Sequence, residues 1–220
     1  SYTIGKDGDL AGRTVVVSAG GTIEPIDPVR VITNHSSGKM GYALAEAARD
    51  RGADVVLVTA PTSLPDPALV NVVQIRTAEQ MGEAIQRHLD KADALVMAAA
   101  VADYRPATAA DQKIKKAEDE MNISLAKTTD ILKSAEGNYV RVGFAAESQN
   151  LVENAKAKVA SKKLDLIVAN DITAEGSGFG SETNQVTFID RYMQVEELPL
   201  LTKYDVSNRI LDRVRDLIRD

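Results

Sequence analysis

Five short apolar runs recur along the chain, each separated from the next by a helix-like stretch or a loop, and this alternation limits the fold more than any other feature. The runs are TVVVSA (14–19), DVVLVTA (54–60), ALVMAA (94–99), YVRVGFAA (139–146) and LDLIVAND (164–171). Several are continuously apolar, the pattern of a parallel strand buried on both faces. Between them lie GKMGYALAEAARDRG, closed by Gly52 just past its end, TAEQMGEAIQRHLDKA, opened by a Thr77/Gln80 capping box, and NLVENAKAKVASKK. This order predicts an α/β fold: a Rossmann-like open, mainly parallel sheet with helices on both faces and right-handed crossovers. Residues 184–199 alternate like an antiparallel hairpin turning at Asp190-Arg191, an extension of the sheet. DVSNRILDRVRDLIRD then sets Ile210, Val214 and Ile218 on one helical stripe. With no internal repeat and no dividing linker, a single domain over 1–220 is expected. Segments 22–37, 61–71 and 103–121 read as loops, long enough to carry function.

Composition narrows the function. No apolar run reaches the roughly eighteen residues of a membrane span, and SYTIGKDGDLAG lacks a signal-peptide core. The chain has no Cys, which excludes disulfides, thiolate metal sites and a Cys nucleophile, and fits a cytoplasmic protein. A net charge of −6 and the absence of Trp argue against nucleic acid as a partner. Anionic ligands therefore require a local cluster of cations.

Ligands of open α/β sheets bind at the carboxyl ends of the strands. Those ends here are Gly20-Gly21, Ala98 to Asp103, Gly143-Phe144-Ala145 and Asn170-Asp171. Their small side chains suit either backbone contact with a ligand or close packing of strand on helix. NHSSGKMG places Ser36 or Ser37 as a helix N-cap, with Gly38 and Gly41 in the first turn, where free N–H groups and the helix dipole favour an anion. It is neither a Walker A motif nor G-x-G-x-x-G. Arg30 and Asn34, four apart in the preceding insertion, are candidates to project a cation and an amide into one site. Asp103 is a candidate for a divalent ion beside a triphosphate, or a turn residue. KIKK (113–116) and the Lys158/Lys162 pair are cationic clusters that read equally as solvated faces. His35 and His88 assemble no triad and no metal pair. The chemistry indicated is binding, positioning and charge stabilisation.

In order along the chain, GGTIEPIDPVRVITNHSSGKMG, AAAVADYRP, KIKK, DIL, GFAAES and LDLIVANDI closely resemble phosphopantothenoylcysteine synthetase of the bacterial, CTP-using type. The resemblance runs from about Val15 to the C-terminal helix. It implies a ligase of coenzyme A biosynthesis. The carboxylate of 4′-phosphopantothenate attacks the α-phosphate of CTP, pyrophosphate leaves, and L-cysteine displaces CMP from the acyl-cytidylate. Carried over residue by residue, Asn34 stabilises that intermediate, Arg30 is needed beside it, and Lys113 serves its turnover. CTP is expected at Met97, Ala98, Ala99, Asp103, Lys113, Thr129, Asp130, Ile131, Leu132, Phe144, Lys158 and Lys162, with Asp103 acting through Mg²⁺ and Met97 touching mainly through backbone. Phosphate is expected at Gly20, Gly21, Ser36, Ser37 and Gly38. One departure is Thr129, where many relatives carry Pro. The resemblance also implies a homodimer supported by the 184–199 hairpin. With no initiator Met, it further implies excision from a fusion behind a flavin-dependent phosphopantothenoylcysteine decarboxylase. A dinucleotide-dependent oxidoreductase and a non-catalytic nucleotide sensor are the alternatives.

Overall fold

The computed structural model describes residues 7–115, 121–147, 149–171 and 180–219. Lys116, Ser148 and Ile172, members of the quoted motifs, lie outside the described residues. The chain runs β1 (Thr14–Ala19), β2 (Ile23–Pro25), β3 (Val31–Thr33), α1 (Lys39–Asp50), β4 (Asp54–Thr59), β5 (Asn71–Gln74), α2 (Ala78–Leu89), β6 (Ala94–Met97), β7 (Tyr104–Pro106) and β8 (Leu125–Lys127). It continues through α3 (Ile131–Ser134), β9 (Val140–Glu147), α4 (Leu151–Lys162), β10 (Leu166–Asp171), β11 (Thr183–Asn184), β12 (Val186–Asp190), β13 (Val195–Glu197), β14 (Leu201–Thr202) and α5 (Lys203–Arg219).

One eight-stranded sheet has the order β13-β12-β10-β9-β6-β1-β4-β5. It is parallel from β5 to β10, and β12 and β13 add antiparallel at one edge. The α/β fold read from the sequence is therefore the fold observed. Alternate residues of each strand feed two cores, as the two-residue strand period requires. Val15, Val17, Leu57 and Val168 pack with Leu44 and Ala48 of α1 and Ile210 and Val214 of α5. Val16, Val58, Leu95 and Ile167 pack with Met81 and Ile85 of α2 and Val159 of α4. This two-sided burial explains why the central strands carry no polar alternation.

The Thr77 and Gln80 side chains form the expected capping box of α2. The hairpin turn after β12 is held by Asp190 Oδ1, which accepts the N–H groups of Tyr192 (2.8 Å) and Gln194 (2.9 Å). The expected loops are only partly loops. Segment 22–37 contains the β2–β3 hairpin, and 103–121 opens with β7, which pairs with β8. Residue 71 begins the edge strand β5, whose Val72 and Val73 are only half-buried and too few to announce a strand. No helix among the described residues is long and apolar enough to cross a membrane.

The chain leaves β1 towards β4 and β5 on one side and returns to β6 on the other. The crevice above the carboxyl ends of β1 and β6 is thus the topological switch point, where open α/β sheets receive ligands.

Candidate active site

The switch point is fastened before it is decorated. Ala100 N–H donates to Gly20 O (2.8 Å) and Thr22 N–H to Ala100 O (3.3 Å), joining the end of β1 to the chain leaving β6. Fully buried Ser18 accepts Ala99 N–H at 3.1 Å, and fully buried Thr22 accepts Ala102 N–H at 2.9 Å. From the other side Thr128 Oγ1 donates to Ala102 O at 2.6 Å. The small residues 98–102 therefore form a rigid backbone ridge.

Two cavities flank this ridge. The larger, about 740 Å³, is lined by Met97, Ala99, Asp103, Thr129, Asp130, Ile131, Leu132, Phe144, Lys158 and Lys162, together with Tyr104, Lys127, Thr128 and Lys133. The second, about 470 Å³, is lined by Asn34, Ser36, Ser37, Gly38, Lys39, Ala98, Lys158, Asn170, Asn184 and Lys203 among others. Ala99, Val101, Asp103, Phe144 and Lys158 line both, so the cavities adjoin along one wall. Both are cationic in a chain of net charge −6.

The structure brings most of the expected residues together and repositions others. The larger cavity gathers the expected nucleotide residues except Ala98, which lines the second cavity, and Lys113, which is exposed and lines neither. Asp130 caps α3 by accepting Lys133 N–H (3.2 Å) and pairs with Lys162 Nζ at 3.0 Å. Asn34 donates from Nδ2 to Val101 O at 3.1 Å and faces the second cavity. The expected Ser N-cap is corrected: Gly38 caps α1, with φ 76 and no side-chain cap bond. A left-handed backbone at this position suits glycine and strains a serine. Ser36 and Ser37 instead accept the N–H groups of Gly38 (3.3 Å) and Lys39 (3.5 Å). Arg30 is also repositioned. It does not share Asn34's cavity; its guanidinium turns to Asp27.

Gly20 and Gly21 line neither cavity. Their small size serves contact between backbones: a Cβ on Gly21 would lie 2.6 Å from the carbonyl oxygen of Asn34. Gly21→Ala is therefore expected to push the Asn34 segment outward. Overpacking of this kind costs about 1–3 kcal/mol, read as a lowered denaturant midpoint.

Lys203, Asn170 and Asn184 lie in the second cavity without having been singled out from the sequence, apart from Asn170 as a strand end. Lys203 is the first residue of α5 and 6% exposed. Its ammonium donates to the carbonyls of Ser181 and Thr183, and burial, then Lys39, pushes its pKa down. Lys39 donates to Gly180 O at 2.9 Å and pairs with Glu182, and the bond to Glu182 holds that carboxyl below its ordinary pKa. A signal for the helix start was present. Thr202 accepts Asp205 N–H at 3.1 Å, a T-x-x-D cap that sets Lys203 at the helix entrance.

An open, mainly parallel sheet whose switch point lies between two adjoining, lysine-lined cavities defines the class: a doubly wound α/β protein with a cationic crevice at its strand ends. The chain belongs to the family described as DNA/pantothenate metabolism flavoprotein C-terminal domain, whose model matches residues 10–218. It is 46% identical over 212 residues to the coenzyme A biosynthesis bifunctional protein CoaBC of Bacillus subtilis (strain 168), covering 94% of this chain and 52% of that protein. CoaBC of Vibrio vulnificus (strain YJ016) is likewise 46% identical, over 216 residues, covering 95% and 53%. The chain thus spans about half the length of these curated relatives. Among solved structures, the C-terminal domain of a CoaBC protein superposes with a TM-score of 0.83 at 40% identity, covering 97% of this chain and 99% of that one. A Cab2 variant in complex with phosphopantothenate-cysteine shares the fold at 16% identity, with a TM-score of 0.73 over 94% of this chain and 87% of that one. The family resemblance carried by the sequence motifs is borne out.

Proposed function

We propose that the chain is a phosphopantothenate–cysteine ligase. It joins 4′-phosphopantothenate to L-cysteine at the expense of CTP, through an acyl-cytidylate, releasing pyrophosphate and then CMP. The observation that carries this reading is the pair of cavities meeting at Ala99, Val101, Asp103, Phe144 and Lys158. The larger takes the nucleotide. The second takes an acid charged at both ends. Its carboxylate must reach the shared wall, and its phosphomonoester is assigned to Lys39 and Lys203, which line the second cavity and not the larger. A phosphomonoester carries up to about −2, which suits two lysines.

In the first step a carboxylate oxygen bonds to the α-phosphorus as the bond to the β-phosphate oxygen breaks, and pyrophosphate leaves. In the second the cysteine amine bonds to the acyl carbon, CMP leaves, and the amine loses a proton. Lys158, on both cavities, offsets charge on the reacting phosphate. Asn34, held by Val101 O, has a second N–H for the acyl oxygen. The ridge fixes the approach of the two reactants. Among the described residues no group of three or more His, Cys, Asp or Glu could hold a metal alone. Asp103 and Asp130 in the nucleotide cavity suit Mg²⁺ bound mainly by phosphates, where the ion would offset phosphate charge.

The proposal includes a homodimer with contact through 184–199, where Tyr192 (71%) and Val195 (42%) are exposed. It also includes association with a phosphopantothenoylcysteine decarboxylase, and a cytoplasmic setting in keeping with the biosynthetic relatives.

The test is pyrophosphate release with 4′-phosphopantothenate and CTP, with and without L-cysteine, repeated with ATP. A cysteine-free burst of about one equivalent per site, becoming steady release on adding cysteine, is expected of a two-step mechanism. Binding of CTP with no release under any combination overturns the ligase reading in favour of a nucleotide sensor. Lys158→Ala is expected to raise the KM for CTP about tenfold or more, since a hydrogen bond to a charged group contributes about 1.5–3 kcal/mol. An unchanged KM returns Lys158 to the solvated surface.

A further inference from the structure

Arg30 and Lys113 are both expected at the chemistry, and neither lines either of the two cavities at the switch point. The structure joins their two segments through one buried carboxylate. Asp27, on the turn between β2 and β3, is 2% exposed. Its Oδ1 accepts the N–H groups of Val29 and Arg30, both at 2.8 Å. Its Oδ2 accepts Arg30 Nε at 2.9 Å, Arg30 Nη2, and the N–H of Ile114 at 3.1 Å. Arg30 Nη2 also donates to Ile114 O at 3.0 Å, and Nη1 approaches Met121 Sδ at 3.6 Å. Both polar groups of the Ile114 backbone are therefore held by the Asp27–Arg30 pair, one residue from Lys113. The same guanidinium touches residue 121 on the far flank of the segment. Paired first with Arg30, the Asp27 carboxyl is held well below the usual carboxylate range, so it stays ionised and keeps its grip at working pH.

We propose that Asp27 is a positioning residue for the ligation: through Arg30 and the Ile114 backbone it fixes the stretch from which Lys113 projects. This rests on the ligase reading and on Lys113 serving turnover of the acyl-cytidylate. It also gives Arg30 a role that its position outside the cavities otherwise leaves without an account. Arg30 holds the lysine segment in place.

The test uses the whole chain carrying Asp27→Asn. Asparagine keeps a carbonyl for the Val29 and Arg30 N–H groups but presents a donor to the Arg30 guanidinium and the Ile114 N–H. The expected result is a cysteine-free pyrophosphate burst that remains near one equivalent, while steady amide formation falls about tenfold or more. Lys113→Gln should cause a loss of similar size alone and add no more than about twofold in the Asp27→Asn background, because both changes remove one function. Should Asp27→Asn melt at assay temperature, Arg30→Gln removes the guanidinium's bonds to Asp27 and to the Ile114 carbonyl while leaving Asp27's bonds to the Val29 and Ile114 N–H groups, and should lower amide formation in the same direction with the burst retained. Losses that multiply, a burst that shrinks with turnover, or Lys113→Gln without effect overturn the inference and leave the ligase reading standing. A wild-type chain that releases no pyrophosphate overturns both.

Discussion

Asn34→Asp is expected to slow amide formation by about two to three orders of magnitude while leaving the fold intact. Asn34 is exposed on its loop, so the substitution disturbs no core. It replaces an amide that donates to Val101 O with a carboxylate that faces the same carbonyl as an acceptor. It also puts a negative charge in a cavity proposed to receive a carboxylate and then an acyl phosphate. Two like charges about 4 Å apart in a surroundings of effective dielectric about 20 repel by roughly 4 kcal/mol, and each 1.36 kcal/mol is about tenfold in rate. Single-turnover amide formation with a melting curve alongside is the measurement. Normal turnover in a folded variant removes Asn34 from the chemistry.

Lys203→Met should raise the KM for 4′-phosphopantothenate by about thirtyfold or more and leave the KM for CTP within about threefold, if two lysines share a phosphomonoester by charge-assisted hydrogen bonds. Methionine preserves the length of the side chain in a position only 6% exposed and removes the ammonium. The substitution also leaves the carbonyls of Ser181 and Thr183 without that donor, so some stability is lost. The two KM values separate the causes. A structural loss moves both or neither, whereas loss of the phosphate seat moves one. Equal changes in the two values overturn the assignment.

The reach of the sequence followed the range of the forces involved. The strands were legible because a run such as TVVVSA is buried on both faces and needs apolar residues throughout. Edge strand β5 has half-buried valines and gave no such signal. The Thr77/Gln80 cap was legible because its partners are three residues apart. The bond from Arg30 to the Ile114 carbonyl was not, because its partner lies eighty-four residues away. Lys203 was missed for a related reason. In sequence it is one more charged residue at the start of an amphipathic helix. Only the folding of residues 180–184 across α1 and α5 encloses it. The Ser N-cap failed for want of a dihedral, since the choice between Ser37 and Gly38 rests on a left-handed backbone angle that residue spacing does not encode.

In the proposed reaction Lys158, which borders both cavities, couples the two ligands thermodynamically. A single cation claimed by two anions makes each substrate loosen its neighbour's hold, and the penalty is reciprocal by linkage. That antagonism exists only while the carboxylate and the triphosphate are separate. Once they are joined and pyrophosphate has gone, fewer negative charges compete for the same ammonium. On the ligase reading the chain would then meet the reactants under electrostatic tension and the acyl-cytidylate in relief, so the shared lysine would favour the forward step by what it withholds from the ground state.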